Sequence, residues 1–534
     1  MLGRLAKKTR MFSWFAKKKR SGDIRNRRNE TPLSDVLEVN EARIRQAFGG
    51  SFDLVYRRIS IGKNGCVAAL VIHINEMVNP QFVSSAIMQR IVDKTENLTD
   101  PHSVFNHVRD RYLDLTDVAE EHDFQEIVEE IANGNTCIII QGVTKAIVCQ
   151  TQGFSQREVT QPTTETTIRG SKEGFVESLD INLGLIRRRI RNPRLRIEHY
   201  TLGEVSKTPV ALVFIEGIAN SGIIDEARQR LSRLRIDSIQ ESGQLEELIE
   251  DAPFSPFPTL LRTERPDRVT GNLLEGRFAI ITDGSPFALI APATFSMFLT
   301  APEDYFERFF AGSIIRLLRY VAFFISLTLP ALYVAITTFH QELLPTPLIL
   351  SIAAQRDLIP FPAVVEAALM EIVFELLREA GIRLPLVLGQ AVSIIGALVI
   401  GEAALRAGIV SAAMVVVVAL TGIASFATPI FSLAISVRLL RFPLMLMAST
   451  LGLFGILAGL GAIFTHLLTL RSFGVPYLEP FAPFVAREQR DAVLRAPWWA
   501  MDKRPRLVGG QDDQRTAPGQ MPKPPVDEKG ESGG

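Results

Sequence analysis

The 534-residue chain has few of the residues from which disulfide scaffolds, metal centres and hydrolytic sites are built. Its three cysteines, Cys66, Cys137 and Cys149, match neither a disulfide framework nor a metal-ligand spacing. Its seven histidines form no HExxH pattern, and the sequence contains no phosphate-binding glycine loop or nucleophile elbow. We therefore expect no catalytic residues, no metal site and no cofactor, and a protein that is not an enzyme.

An excess of charge of either sign is also lacking. Lys and Arg total 58, and Asp and Glu total 58. This balance excludes a globally basic nucleic-acid-binding protein and an acidic disordered chain, so no nucleic-acid partner is expected. Basic residues are nevertheless concentrated at the start, where 1–31 has the composition of a flexible arm. Such an arm is either a solvated tail or a segment that contacts anionic membrane lipid.

Charged residues are absent from long stretches of the second half. Four intervals contain none: 320–341, 384–401, 407–437 and 442–470. A helix needs about 20 apolar residues to cross a hydrocarbon core about 30 Å thick. The sequence therefore predicts a helical membrane domain over 315–471, with four to six membrane segments.

The number of membrane segments is left open by the charges between them. Four spans place both ends of the chain in the cytosol but leave Arg438 and Arg441 outside, against the positive-inside rule. A fifth span at 363–380 places Arg438 and Arg441 on the cytosolic side, as the rule requires, but moves the C-terminus outside. A re-entrant region at 343–380 is the compromise that we favour.

Alternating helical and strand patterns precede the membrane domain. They predict a first α/β subdomain at 32–160 and a second at 171–305. No apolar signal segment is found at the N-terminus, so we expect this part in the cytosol. The predicted fold class is an α/β cytosolic N-terminal domain of two α/β subdomains, followed by an all-α polytopic membrane domain. A cytosolic segment at 472–504 and a disordered tail at 505–534 complete the chain.

The patterns also locate individual elements. Helices are predicted at 33–48, 80–94, 123–133, 179–190, 223–234 and 242–250. Strands are predicted at 53–61, 66–74, 136–141, 145–150, 197–204, 210–216, 278–283 and 287–291.

One apolar segment carries a set of ionisable residues. The stretch 363–380 is apolar except for Glu366, Glu371, Glu375, Arg378 and Glu379. Because an ionisable group in hydrocarbon costs at least about 2.5–3.5 kcal/mol, such residues must face water, protein or each other. The helix either lines an ion pathway or meets a partner through Glu366, Glu371, Glu375 and Arg378. Alternatively, it is an amphipathic helix in the lipid headgroups.

Three further groups have recognisable spacing. Glu402 and Arg406 are four residues apart, as in a structural ion pair on a helix. The pattern Gly455-x-x-x-Gly459 indicates close helix packing, which fits an oligomer. The densest basic cluster is either a solvated helix end or a docking surface for a partner or for lipid headgroups, and it comprises Arg187, Arg188, Arg189 and Arg191.

Four segments occur in a specific order along the chain: VALVFIEGIAN (210–220), EGRFAIITDGSPFALIAPATF (275–295), MEIVFELLREAGIRLP (370–385) and SVRLLRFPLMLMAS (436–449). With these segments the chain resembles, from about residue 35 to 500, the A subunits of spore germinant receptors, the GerA type.

The resemblance implies an integral protein of the spore inner membrane, with its N-terminal domain on the cytosolic side. It also implies two partners, a transporter-like B subunit that recognises the germinant and a C subunit that is a lipoprotein. A subunits of this type are expected to form a homo-oligomeric ring around a nutrient-gated cation channel. A non-conducting scaffold and the stage-V sporulation paralogue, which is associated with dipicolinate release, stay open as alternatives.

Overall fold

The computed structural model describes residues 31–94, 98–112, 118–153, 161–162, 165, 167–383, 399, 401–517 and 519–522. The predicted basic arm, apart from Thr31, and the apolar run 384–401, apart from 399 and 401, lie outside these residues. Two compact units are present, one of 1–154 with 191–193 and one of 155–190 with 194–534.

The first unit contains a five-stranded antiparallel sheet of order β1-β2-β4-β5-β3. Its strands are β1 (Leu54–Ile61), β2 (Val67–Ile74), β3 (Val118–Glu121), β4 (Thr136–Ile140) and β5 (Ala146–Cys149). Its helices are α1 (Leu37–Ala47), α2 (80–94), α3 (Pro101–His107) and α4 (Phe124–Ala132).

Helices cover both faces of this sheet. Because successive strand residues point to opposite faces, Leu70 of β2 enters one core with α1 and α4, whereas its neighbour Val71 enters another with α2 and α3.

The second unit begins with a sheet of the same connectivity, of order β6-β7-β9-β10-β8. Its strands are β6 (Leu195–Leu202), β7 (Thr208–Ile215), β8 (Leu261–Thr263), β9 (Phe278–Thr282) and β10 (Ala288–Ala291). Its helices are α5 (Leu179–Arg189), α6 (Ser221–Arg233), α7 (Ser242–Ile249) and α8 (Pro266–Leu273).

The two subdomains share the same strand order and also equivalent hydrogen bonds at the start of their first helix. Asn40 and Asn182 are both buried at the fourth position of their helices, and each bonds both backbone groups of the residue six positions earlier. In each copy a hairpin side chain accepts from the first amide of that helix: Leu37 N donates to Gln141 Oε1 at 2.9 Å, and Leu179 N donates to Asp283 Oδ1 at 3.0 Å. The α/β half is therefore built from two copies of the same fold.

Helices form most of the rest of the second unit. They are α9 (Phe295–Phe298), α10 (Glu303–Phe306), α11 (Phe309–Phe339), α12 (Thr346–Arg356), α13 (Ala363–Arg383), α14 (Ala412–Phe426) and α15 (Phe431–Thr469). Of the described helices, α11 and α15 are long and apolar enough to cross a membrane. The predicted order, two α/β subdomains followed by helices, is confirmed. The uncharged run 407–437 is interrupted between α14 and α15, where Pro429 lacks the amide that helix continuation needs.

Helix α15 is a hairpin of two arms. Gly452 leaves the helical conformation with φ of 62° and ψ of −139°. Both arms return to one loop of the second subdomain, because the Ser436 hydroxyl donates to the Pro256 carbonyl and His466 Nε2 lies 2.9 Å from Ser255 Oγ. At 1.5 Å per residue the arms are about 31 Å and about 26 Å long, close to the thickness of a hydrocarbon core.

The chain after α15 packs against the second subdomain. It forms the short hairpin β11 (Arg471–Ser472) and β12 (Val475–Pro476). Phe473 and Val508 enter the core beside α6 and α7, and Gly509 makes a backbone bridge to Ala219. The prediction of disorder from residue 505 is therefore corrected for 505–517, because buried Val508 holds this part of the chain on the sheet.

Candidate functional site: an ion-pair network among the apolar helices

Helix α13 carries a carboxylate into the start of α14. The Glu366 side chain is completely buried, and its Oε1 accepts hydrogen bonds from the amide and the hydroxyl of Ser411. Ser411 is the N-cap of α14, and its Oγ also accepts from Met414 N at 3.2 Å. The positive end of the α14 dipole therefore faces the carboxylate, which stabilises negative charge there.

Five residues further along α13, Glu371 pairs with Arg441 of α15. Both side chains are almost completely buried, and Arg441 Nη1 donates to Glu371 Oε2. Arg441 Nε also donates to the Ser326 carbonyl of α11 at 2.8 Å. That carbonyl is available because its usual helical donor would be the amide of residue 330, and Pro330 has none. Three helices therefore meet at one guanidinium.

A second, more open pair lies beside the first. Arg438 Nη1 donates to Glu375 Oε2 at 2.8 Å, and the Glu375 side chain is 29% exposed. Arg378, the first basic residue of α13, lies over the rings of Phe426 and Phe431, at 5.3 and 5.4 Å from their centroids. Cation–π contact is a favourable arrangement for a guanidinium held away from water.

We call these six ionisable residues the helix network: Glu366, Glu371, Glu375, Arg378, Arg438 and Arg441. Their formal charges balance at three of each sign. Each nevertheless keeps one side-chain oxygen or nitrogen that has no hydrogen-bond partner among the described residues. Since buried polar atoms are normally paired, these unpaired atoms could still bond water, an ion or a further polar group.

A separate polar junction ties α11 to its surroundings. Asp304 of α10 accepts from Arg316 Nε at 3.1 Å and from Arg319 Nη1 at 2.7 Å. Arg316 also reaches Asp491 of the C-terminal segment at 2.9 Å, and Tyr305 donates to the same carboxylate at 2.8 Å. Burial raises the pKa of the Asp491 carboxyl although Arg316 opposes the shift. The start of α11 is thus held to both the α/β subdomain and the C-terminal segment.

Known proteins are similar in sequence to this chain over most of its length. A family model described as Bacillus/Clostridium GerA spore germination protein matches residues 42–507. Spore germination protein KA of Bacillus subtilis is 48% identical over 492 residues, which cover 92% of this chain and 90% of that protein. Spore germination protein A1 of Bacillus subtilis is 39% identical over 487 residues, which cover 91% and 98%. The chain belongs to the GerA family of spore germination proteins.

One solved structure is also similar to this GerA family member. It is the N-terminal domain of the A subunit of the Bacillus megaterium spore germinant receptor GerK3, with a TM-score of 0.41 and 35% identity, covering 50% of this chain and 99% of that chain. The resemblance to germinant receptor A subunits, predicted from sequence segments, is confirmed at the level of the family.

In this GerA protein Glu366 and Glu371 are buried among the apolar helices, whereas Glu375 and Arg378, further along α13, are partly buried. Their counter-ions, Arg438 and Arg441, were not predicted from the sequence, in which these two arginines entered only the count of membrane segments. The signal was present, because two arginines three positions apart lie on one face of an apolar helix and need partners there.

The other candidate residues have more local roles. Arg406 Nη2 donates to Glu402 Oε1 at 2.5 Å on an exposed helix surface. Gly455 and Gly459 face Met447 and Leu444 of the other α15 arm, so both glycines lie where two helical arms pack closely within the chain. Their packing in an oligomer stays a prediction.

The basic cluster at the end of α5 is only partly a surface. Arg187 is fully buried, and its Nη2 donates to the Leu195 carbonyl at 3.0 Å, so its inclusion in a docking surface is corrected. Arg188 and Arg189 lie 3.4 and 2.6 Å from the carboxylate of Glu173. Arg191 is exposed.

Proposed function

We propose that this chain is the A subunit of a spore germinant receptor and that it forms a nutrient-gated cation channel as a homo-oligomer in the spore inner membrane. A transporter-like B subunit and a lipoprotein C subunit would be its partners. The observation that carries the channel proposal is the helix network, since charged groups among apolar helices are costly and mark ion pathways.

The path of the chain supports a membrane domain that begins and ends on one side. The start of α11 contacts Asp304 and Asp491, and the second α15 arm ends beside Ser255 of the second subdomain. At the other end of α11, His340 Nε2 accepts from Leu453 N at the hairpin tip, at 3.3 Å. This arrangement favours an even number of membrane segments, with the C-terminal segment on the cytosolic side together with the α/β subdomains.

The network suggests how gating would occur. In the arrangement observed, Arg441 and Arg438 neutralise Glu371 and Glu375. A germinant that binds the B subunit would shift the population toward a second arrangement, in which the carboxylates face the pathway instead. Carboxylates near a pore raise the local concentration of cations.

Reconstitution tests the channel directly. We expect K⁺-loaded liposomes containing the purified protein and its B and C subunits to release K⁺ when germinant is added, and those lacking the B subunit to release none. A folded, oligomeric complex that releases no K⁺ under any of these conditions would contradict the channel and favour a non-conducting scaffold.

The most accessible carboxylate of the network should have the largest direct effect on conduction. Glu375 is 29% exposed, whereas Glu371 is 1% exposed. We expect Glu375→Gln to reduce K⁺ efflux about fivefold, because the loss of one unit charge removes about 1 kcal/mol of attraction in a hydrated site.

A matched control lies on the same helix. Glu379 pairs with Arg383 at 2.6 Å on an exposed surface. Glu379→Gln should leave efflux unchanged. Equal effects of the two substitutions would show that general surface charge, rather than the network, controls efflux.

The loop at 251–259 is the contact through which the α/β subdomain would act on the hairpin. Ser436 donates to its Pro256 carbonyl, and Phe257 lies with its ring centroid 6.2 Å from that of His466. Ser436→Ala removes one hydrogen bond worth about 0.5–1.5 kcal/mol. We expect germination to be slowed severalfold in spores that carry this chain as their only A subunit.

The control for this prediction is Ser449→Ala. Among the described residues the Ser449 hydroxyl bonds only the Leu446 carbonyl of its own helix, so germination should keep its normal rate. Normal germination of the Ser436→Ala variant would remove this contact from the signalling path.

A further inference from the structure

A cavity of about 700 Å³ lies between the second α/β subdomain and the C-terminal segment. Its wall includes Arg277 before β9, Tyr305 of α10, and Glu479 and Glu488 of the C-terminal segment. This volume is within the range of small-molecule sites in proteins. None of the helix network residues lines it.

Most arginines around the cavity already have carboxylate partners. The pairs are Arg268–Glu165 at 3.1 Å, Arg277–Glu275 at 2.5 Å, Arg515–Glu275 at 3.2 Å, Arg487–Asp502 at 3.1 Å and Arg504–Asp512 at 3.0 Å. These arginines are therefore already paired and do not neutralise the remaining carboxylates of the cavity wall.

Glu479 is the exception among the carboxylates of the wall. Its side chain is 3% exposed, and neither oxygen accepts a hydrogen bond of ordinary geometry from the described residues. The neighbouring acid is Glu488, whose Oε1 already accepts from Arg506 N at 2.8 Å. Burial and Glu488 raise the pKa of Glu479 to about 7, against the weaker opposing effects of Arg277 and the Leu507 backbone.

We propose that this cavity binds a small organic cation through a primary ammonium group placed between Glu479 and Glu488. An ammonium group has three N–H donors. Neither oxygen of Glu479 accepts a hydrogen bond of ordinary geometry from the described residues, and the adjacent Glu488 places a second carboxyl group beside the cation. A metal ion fits less well, since the described residues contain no group of three or more His, Cys, Asp or Glu side chains able to hold one. A bare ion would also leave most of the cavity unfilled. The site is independent of the channel proposal.

Binding of n-butylammonium to the full-length protein in nanodiscs, followed by calorimetry, tests this site. The carboxyl of Glu479 must lose its proton to bind the cation, and its pKa of about 7 lies between the two test conditions. We therefore expect binding about 10-fold tighter at pH 8 than at pH 6. Tetramethylammonium, which has the same charge and no N–H donor, should bind at least about 10-fold more weakly than n-butylammonium.

Two variants of the cavity wall separate the site from general electrostatics. Glu479→Gln should weaken n-butylammonium binding at pH 8 at least about 10-fold, because it removes the charge and keeps the shape. Asp513→Asn is the control, since Asp513 also lines the cavity but pairs with Lys503 at 2.8 Å, and its binding should be unchanged.

Thermal unfolding shows whether the Glu479→Gln variant is folded, so that weaker binding can be distinguished from loss of the native structure. Since the folded pKa of Glu479 is raised, its protonation stabilises the native state fully below about pH 4.5, and this contribution is lost as the pH rises through about 7. Glu479→Gln should therefore unfold at a temperature at least as high as the unsubstituted protein at pH 8. No binding by the folded protein, equal binding of the two cations, or unchanged binding by Glu479→Gln would overturn the proposal.

Discussion

Arg441→Leu is expected to destabilise the helical domain by about 3–5 kcal/mol, the cost of leaving one member of a buried ion pair alone. Glu371, 1% exposed, would lose its cation, and the Ser326 carbonyl would lose its donor. Because whole domains are stable by only about 5–15 kcal/mol, we expect little folded protein in membranes and a spore that does not germinate through this receptor. Thermal unfolding of the protein in nanodiscs measures the first effect.

The double variant Glu371→Leu with Arg441→Leu distinguishes stability from function. Replacing a buried ion pair by apolar residues of similar size is often neutral or stabilising, so the double variant should recover most of the stability lost in Arg441→Leu. K⁺ efflux should stay impaired, because the carboxylate is absent. If the double variant recovered both its stability and its K⁺ efflux, the Glu371–Arg441 pair would serve only to hold the helices together. If the Arg441→Leu variant were as stable as the unsubstituted protein, the existence of a buried Glu371–Arg441 ion pair would be contradicted.

The α/β half could be predicted well from the sequence, because alternation and helical periodicity are local signals of burial. The predicted strands at 53–61 and 66–74 correspond to β1 and β2, whose residues alternate between two cores. Two edge strands, β3 and β8, were missed. They are only four and three residues long, too short for an alternating pattern to be recognised.

Parts of the helical half could not be predicted by counting uncharged residues. Such a count finds apolar length but is blind to backbone reversal, so the run 442–470 concealed the turn at Gly452. It also could not pair Glu371 with Arg441, which are 70 residues apart. The sequence could show only that the charges needed partners, since an isolated charge in an apolar helix is costly. Which partners they have is decided by how α11, α13 and α15 pack.

Gly455→Leu is expected to prevent the two arms of α15 from closing. A Cβ atom at Gly455 would overlap the Met447 carbonyl oxygen, which belongs to the backbone and cannot move aside as a side chain does. Overpacking typically costs about 1–3 kcal/mol, and a clash with backbone should reach or exceed the upper end of that range. We expect a correspondingly lower unfolding temperature and strongly reduced germination.

Gly461→Leu is the matched control, since a Cβ atom there meets nothing within 4 Å. The same pair of variants decides between packing inside the chain and packing in an oligomer. If Gly455 packs inside the hairpin, as observed, Gly455→Leu lowers the stability of the isolated subunit. If it faced a second subunit, the variant would instead yield a stable monomer in size-exclusion chromatography with light scattering, and the hairpin would have to be abandoned. The hairpin carries Arg438 and Arg441 to α13, so its closure is a condition for the whole helix network.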